Sequence, residues 1–90
     1  MNKLLNLIKQ YLNNDMLSEE FVLDFEELFL DIEDKVYSDN IELYNLLDDI
    51  RMACAYYEDN EEIRKQCDSY MSLKQFKEKI KKTYEAIVNL

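Results

Sequence analysis

Read for apolar spacing alone, the chain divides into four helical stretches separated by polar breaks. From Asn2 to Leu12, the side chains of Leu4, Leu5, Ile8, Tyr11 and Leu12 share one side of a helix. Asn13-Asn14-Asp15 ends that pattern. Ser18 then suits an N-cap, with Glu19 and Glu20 where the positive end of a helix dipole favours carboxylates. The second stretch runs from Glu19 to Val36. Phe21, Phe25, Leu28 and Ile32 recur there at i, i+4, i+7 and i+11, a core stripe that Phe29 and Val36 widen. Asp24, Glu27, Asp31 and Asp34 lie off the stripe. Leu23 and Leu30 fall nearly opposite it, and such residues either touch a neighbouring helix or stand singly on the surface.

Ser38-Asp39-Asn40 is the next break, and Asp39 with Glu42 has the spacing of a capping box. The third helix is expected over Asn40 to Tyr57. Its core face is Leu43, Leu46, Leu47, Ile50, Cys54 and Tyr57, and its opposite strip is Tyr44, Asp48, Met52, Ala55 and Tyr56. Residues 58–71 form a long polar connection with room for a short turn around Ile63-Arg64. Ser72 and Gln75 make a second capping box. The last helix, Leu73 to Val88, places Leu73, Phe76, Ile80, Tyr84 and Ile87 on one face, and Lys74, Lys77, Lys79, Lys81 and Lys82 cover much of the rest. Helices of this length are not stable alone and must pack on one another. The expected fold is all-α, an antiparallel four-helix bundle forming a single domain over residues 1–90.

Composition narrows the picture. The chain has no glycine and no proline, so tight hairpins and phosphate-cradling loops lose support. It is 48% hydrophobic and 34% charged, the balance of a folded domain. Two cysteines, Cys54 and Cys67, do not make a disulfide framework, although a bond between them stays open. No signal peptide is visible and no segment reaches the roughly 18 apolar residues of a membrane span. The expectation is a cytoplasmic protein with reduced thiols.

Charge changes the picture most. The formal net charge is −9, and it is unevenly spread. Residues 15–62 hold 17 acidic and 2 basic side chains, a balance of −15, while residues 63–90 hold 3 acidic and 7 basic, a balance of +4. The densest stretch is YYEDNEE, Tyr56 to Glu62, where two aromatic rings run into four carboxylates. Such a surface repels nucleic acid and anionic membranes and attracts a basic partner.

Catalytic chemistry is poorly provided for. There is no histidine to move protons near neutral pH. Cys54 lies on an apolar face, and Cys67 lies near Arg64 and Lys65 in the polar connection. Paired carboxylates need a pocket to act as a hydrolytic dyad, and this chain is too small to offer much of one. A calcium loop starting at Asp59 would place Arg64 at the sixth position, where the sharp turn needs glycine. An acyl carrier protein would carry its prosthetic arm on a serine in an Asp-Ser-Leu-like motif, but Asp68-Ser69 precedes Tyr70 and lies before the last helix. No catalytic residue, cofactor or metal is expected, and the chain is not read as an enzyme.

Three segments carry a family resemblance. LLNLIKQYLNNDMLSEEFVLDFEELF, IELYNLLDDIRMACAYYEDNEEIR and SYMSLKQFKEKIKKTYEAI together resemble the colicin D immunity proteins and the related immunity proteins of contact-dependent growth-inhibition systems. The likeness lies in helix lengths, a Ser-x-Glu-Phe start to the second helix, an Ala-x-x-Tyr ending of the third with an acidic stretch closing on arginine, and a capped last helix. Where family members often have a carboxylate, this chain has Ser72-Leu73-Lys74. The resemblance implies an inhibitor that binds the catalytic domain of a nuclease toxin, a ribonuclease that cuts tRNA. The partner is then a basic nuclease domain, with no direct contact to nucleic acid or membrane, and the free chain is a monomer. On this reading Glu58, Asp59, Glu61 and Glu62 pair with toxin lysines and arginines, Asp68 joins them, and Tyr56 is an aromatic anchor. Tyr44, Asp48 and Met52 form a second patch, while Tyr57 points toward the core. Two other readings suit the same charge and shape: an acidic DNA mimic that inhibits a DNA-binding protein, and a self-associating helical subunit.

Overall fold

The computed structural model describes residues 2–90. It is all-helical: α1 (Asn2–Leu12), α2 (Ser18–Asp39), α3 (Ile41–Tyr56), α4 (Glu61–Arg64) and α5 (Leu73–Val88). α4 is a single turn inside the polar connection. No helix among the described residues is long and apolar enough to cross a membrane.

Each helix end has a local cause. α1 stops in a turn where Asn14 adopts φ 63°, and in a chain without glycine asparagine is the natural occupant of that left-handed conformation. Lys77 of α5 donates from Nζ to the Asn14 side-chain oxygen at 3.1 Å. α2 and α3 are separated by one extended residue, Asn40 (φ −155°, ψ 90°). Its N–H donates to the Val36 carbonyl at 2.8 Å, and its Oδ1 accepts from the Leu43 N–H at 3.1 Å. The expected Asp39–Glu42 capping box is therefore replaced by an Asn40 cap, because α2 continues through Ser38 and Asp39 and leaves Asn40 as the one residue free to break. The Ser72–Gln75 capping box at the head of α5 is present in both directions.

Ser18 does not cap α2. The residue before the helix is Leu17, which makes no side-chain cap bond. Ser18 is buried, and its hydroxyl lies 2.7 Å from the Tyr11 hydroxyl. Two buried hydroxyls need each other, whereas water can serve an amide at an exposed helix end. Tyr11→Phe is expected to cost about 1–2 kcal/mol by leaving the Ser18 hydroxyl unpaired. The double variant Tyr11→Phe/Ser18→Ala should recover part of that loss in urea unfolding, and strictly additive losses would refute the coupling.

α1 packs on α2 and α5, and α3 packs on the same two helices. The centre is aromatic. Tyr11 stacks on Phe21 at 4.4 Å, and Phe21, Phe25 and Phe29 follow at 5.7 Å intervals along α2. Phe76 of α5 meets Tyr11 at 5.8 Å, Phe21 at 6.1 Å and Tyr57 at 4.8 Å. Leu4, Ile8, Leu47, Ile50 and Ile80 fill the remaining space, all fully buried. Leu73, expected on the core face of α5, is 42% exposed, since it is the first residue of the helix and burial starts one turn later at Phe76. Thr83 is buried on that face.

Candidate functional site

The acidic stretch begins where α3 ends. Tyr57 leaves the helix in an extended conformation, and Met71 runs beside it as an isolated parallel bridge. The Met71 N–H donates to the Tyr56 carbonyl at 2.8 Å, and the Glu58 N–H donates to the Met71 carbonyl at 3.0 Å. The two ends of the polar connection are thus fastened together. The two tyrosines part at this point. Tyr57 turns inward and stacks on Phe76, as its helical angle predicts. Tyr56 stays half-buried, its ring 6.4 Å from that of Tyr70.

Within the connection, Asn60 caps α4, its Oδ1 accepting from the N–H groups of Glu62 (2.9 Å) and Ile63 (3.3 Å). The Glu58 carboxylate accepts from the Asn60 N–H at 3.2 Å. Arg64 donates from Nη1 to the Glu58 carbonyl at 2.8 Å, so its guanidinium braces the backbone. Asp59, Glu61, Glu62 and Asp68 are exposed, and Glu58 is half-buried. Lys65 lies 3.7 Å from Glu62, but both side chains are largely in solvent, where such a pair contributes little. The arrangement presents four carboxylates on one braced turn. Among the described residues no group of three or more His, Cys, Asp or Glu side chains is gathered to hold a metal ion.

The second expected patch is occupied differently. Asp48 Oδ1 accepts from Arg51 Nε (2.8 Å) and Nη2 (2.7 Å), so its charge is answered one turn along α3. Arg51 Nη2 also approaches Met52 Sδ at 3.8 Å, and Met52 is 41% exposed. Tyr44 departs from the expected outward strip. Its ring packs 5.9 Å from Phe29 and 5.0 Å from Tyr37, which draws it half inside.

Sequence reasoning missed what α2 adds beside the acidic turn. Glu19, Val22 and Leu23 line an open groove of ≈ 400 Å³ with Cys54, Tyr57, Glu58 and Asp59. The lining joins apolar side chains to three carboxylates, Glu19, Glu58 and Asp59. The position of Leu23 opposite the core stripe was the available signal.

Cys54 and Cys67 are both free thiols. Burial, aided by the nearby Glu26 carboxylate, pushes the Cys54 thiol up to about 12, so it is neutral at neutral pH. Burial also raises the Tyr11 phenol, outweighing the lowering effect of its Ser18 bond. Both groups hold their protons in the folded state at pH values where the unfolded chain releases them. Stability is then full below the unfolded thiol pKa of about 8.5 and falls as pH rises toward 12. Urea unfolding of wild type between pH 8 and 11 should show this fall, and Cys54→Ala should make it shallower. An unchanged slope would remove Cys54 as its source.

Compared with family models, curated proteins and solved structures, the chain matches none.

Proposed function

We propose that this chain is an immunity protein that binds and inhibits a cognate nuclease toxin, a tRNA-cleaving ribonuclease domain, by setting an acidic surface against its basic cleft. The observation that carries the reading is the braced turn with Glu58, Asp59, Glu61 and Glu62, closed at its base by the Tyr56–Met71 and Glu58–Met71 hydrogen bonds. A domain that cuts tRNA must hold a polyanion in a cationic groove. Carboxylates fixed in place can occupy such a groove with little ordering cost, and the charge of the surface speeds encounter. Asp68 extends the acidic surface along the connection. Tyr56 supplies a half-exposed ring for the partner, and Met52, Asp48 and Tyr44 form its more distant edge. The likeness of helix lengths and caps to colicin D immunity proteins supports the same reading. So does the ring of packed pairs α1–α2, α2–α3, α3–α5 and α5–α1, which fits an antiparallel four-helix bundle acting as one domain. The free protein is a cytoplasmic monomer on this account and needs no cofactor.

The test is capture from the producing strain with tagged protein, followed by RNA-cleavage assay of the captured material. A basic nuclease domain should come down, and tRNA cleavage should appear once the inhibitor is stripped away. Capture of a DNA-binding protein instead would favour the DNA-mimic reading and end this one.

A further inference from the structure

Along α2, Leu23, Leu30 and Tyr37 are 68%, 68% and 59% exposed. They stand seven residues apart, two helical turns, so they form one strip on the side of the helix away from Phe21 and Phe25. The strip borders α3 at both ends. Leu23 shares the groove with Cys54 and Tyr57, and the Tyr37 ring meets Tyr44 edge-on at 5.0 Å. Of the two expected placements, Leu23 and Leu30 are largely exposed, and Leu23 also borders the end of α3.

Both flanks of the strip are acidic. The positions four residues before each apolar side chain are Glu19, Glu26 and Glu33 on one flank, and those three before are Glu20, Glu27 and Asp34 on the other. The first flank faces α3: Glu19 lines the groove with Cys54, the Glu26 charge is felt at Cys54, and the Glu33 charge is felt at Arg51. Among the described residues the ion pairs are Arg51–Asp48 and Lys65–Glu62, so none of these six carboxylates is paired.

We infer that the Leu23–Leu30–Tyr37 strip is a docking surface for a basic amphipathic helix of a partner protein, with apolar side chains at heptad spacing and lysine or arginine on both sides. Charge selects the occupant. A second copy docking through this same strip would set like charges against like along the whole seam. An anionic membrane is repelled in the same way. A basic helix covers the leucines and neutralises both flanks at once, as the charged positions beside a coiled-coil seam do. The inference stands on α2 and holds whatever partner the acidic turn takes.

The test uses the full chain and a synthetic peptide about three heptads long, with leucines in a seam and lysines beside it. One control peptide scatters the same leucines, and another replaces lysine by glutamate. In fluorescence anisotropy the seam peptide should bind at least about tenfold tighter than either control. Leu23→Gln and Leu30→Gln should each weaken it about tenfold. Leu17→Gln should leave it unchanged, as Leu17 is 65% exposed but precedes α2. Circular dichroism checks that each variant keeps its helices. Equal binding of the scattered peptide, or indifference to both α2 substitutions, overturns the inference. So does a wild-type dimer in sedimentation equilibrium that Leu30→Gln dissolves, since the strip then belongs to a second copy.

Discussion

Replacing Phe76 by alanine is expected to remove about 3–5 kcal/mol of folding stability. Phe76 is fully buried and its ring contacts Tyr11 of α1, Phe21 of α2 and Tyr57 at the end of α3. One side chain on α5 thus ties every other long helix to the core. A domain of this size has a total stability of about 5–13 kcal/mol, so the variant should be largely unfolded under mild denaturant. Phe76→Leu keeps most of the volume and should cost about half as much or less. A loss under about 1 kcal/mol for Phe76→Ala would mean that the cluster does not hold the helices together. The substitution should also loosen the acidic connection, because Tyr57 stacks on this ring. Amide exchange at Glu58 and Met71 should then accelerate more than exchange in α1.

The second large effect concerns association. Reversing Glu58, Asp59, Glu61 and Glu62 to lysine exchanges one negative for one positive charge at each position, which moves the formal net charge from −9 to −1. The fold should survive, since Asp59, Glu61 and Glu62 are exposed and the Glu62–Lys65 pair is weak. Lysines at the positive end of α4 should cost a few tenths of a kcal/mol. The association rate with a basic nuclease domain, in contrast, should fall by about 10²–10³ at low salt. High salt should shrink the difference between variant and wild type, because screening removes the steering that the variant lacks. Glu85→Lys, on exposed α5 surface, is the control for charge without position and should matter little. A quadruple variant that binds at the wild-type rate, with the same salt dependence, would take the acidic turn out of the interface.

The limits of α1 and α5 were legible in the sequence because both helices are strongly amphipathic and sharply bounded by polar residues. The junction of α2 and α3 was not. Ser38, Asp39 and Asn40 carry similar turn propensities, and the hydrogen bonds of the Asn40 backbone and side chain choose among them. That shift had a further consequence for Tyr44. Continuing α2 past Val36 gives Tyr37 a fixed place, and Tyr37 then supplies the ring that Tyr44 packs on. Ser18 shows a different limit. A serine ahead of two glutamates reads as a cap, and its real partner, Tyr11, lies across a turn that sequence does not fold. At the candidate site, the inward aim of Tyr57 followed from helical angle, whereas the fastening of Glu58 to Met71 joins residues 13 apart through backbone groups every residue possesses.

That fastening makes the tip of the connection replaceable. Two backbone hydrogen bonds and one stacked ring hold its base, and none of them uses a side chain between Asp59 and Tyr70. With Asn60 and Arg64 kept to hold the turn, the exposed residues Asp59, Glu61, Glu62 and Asp68 can be exchanged one after another while the helices keep their packing. The molecule therefore separates what must stay constant from what can be rewritten: a lineage, or a designer, can retarget the tip through small surface changes without first re-solving the fold.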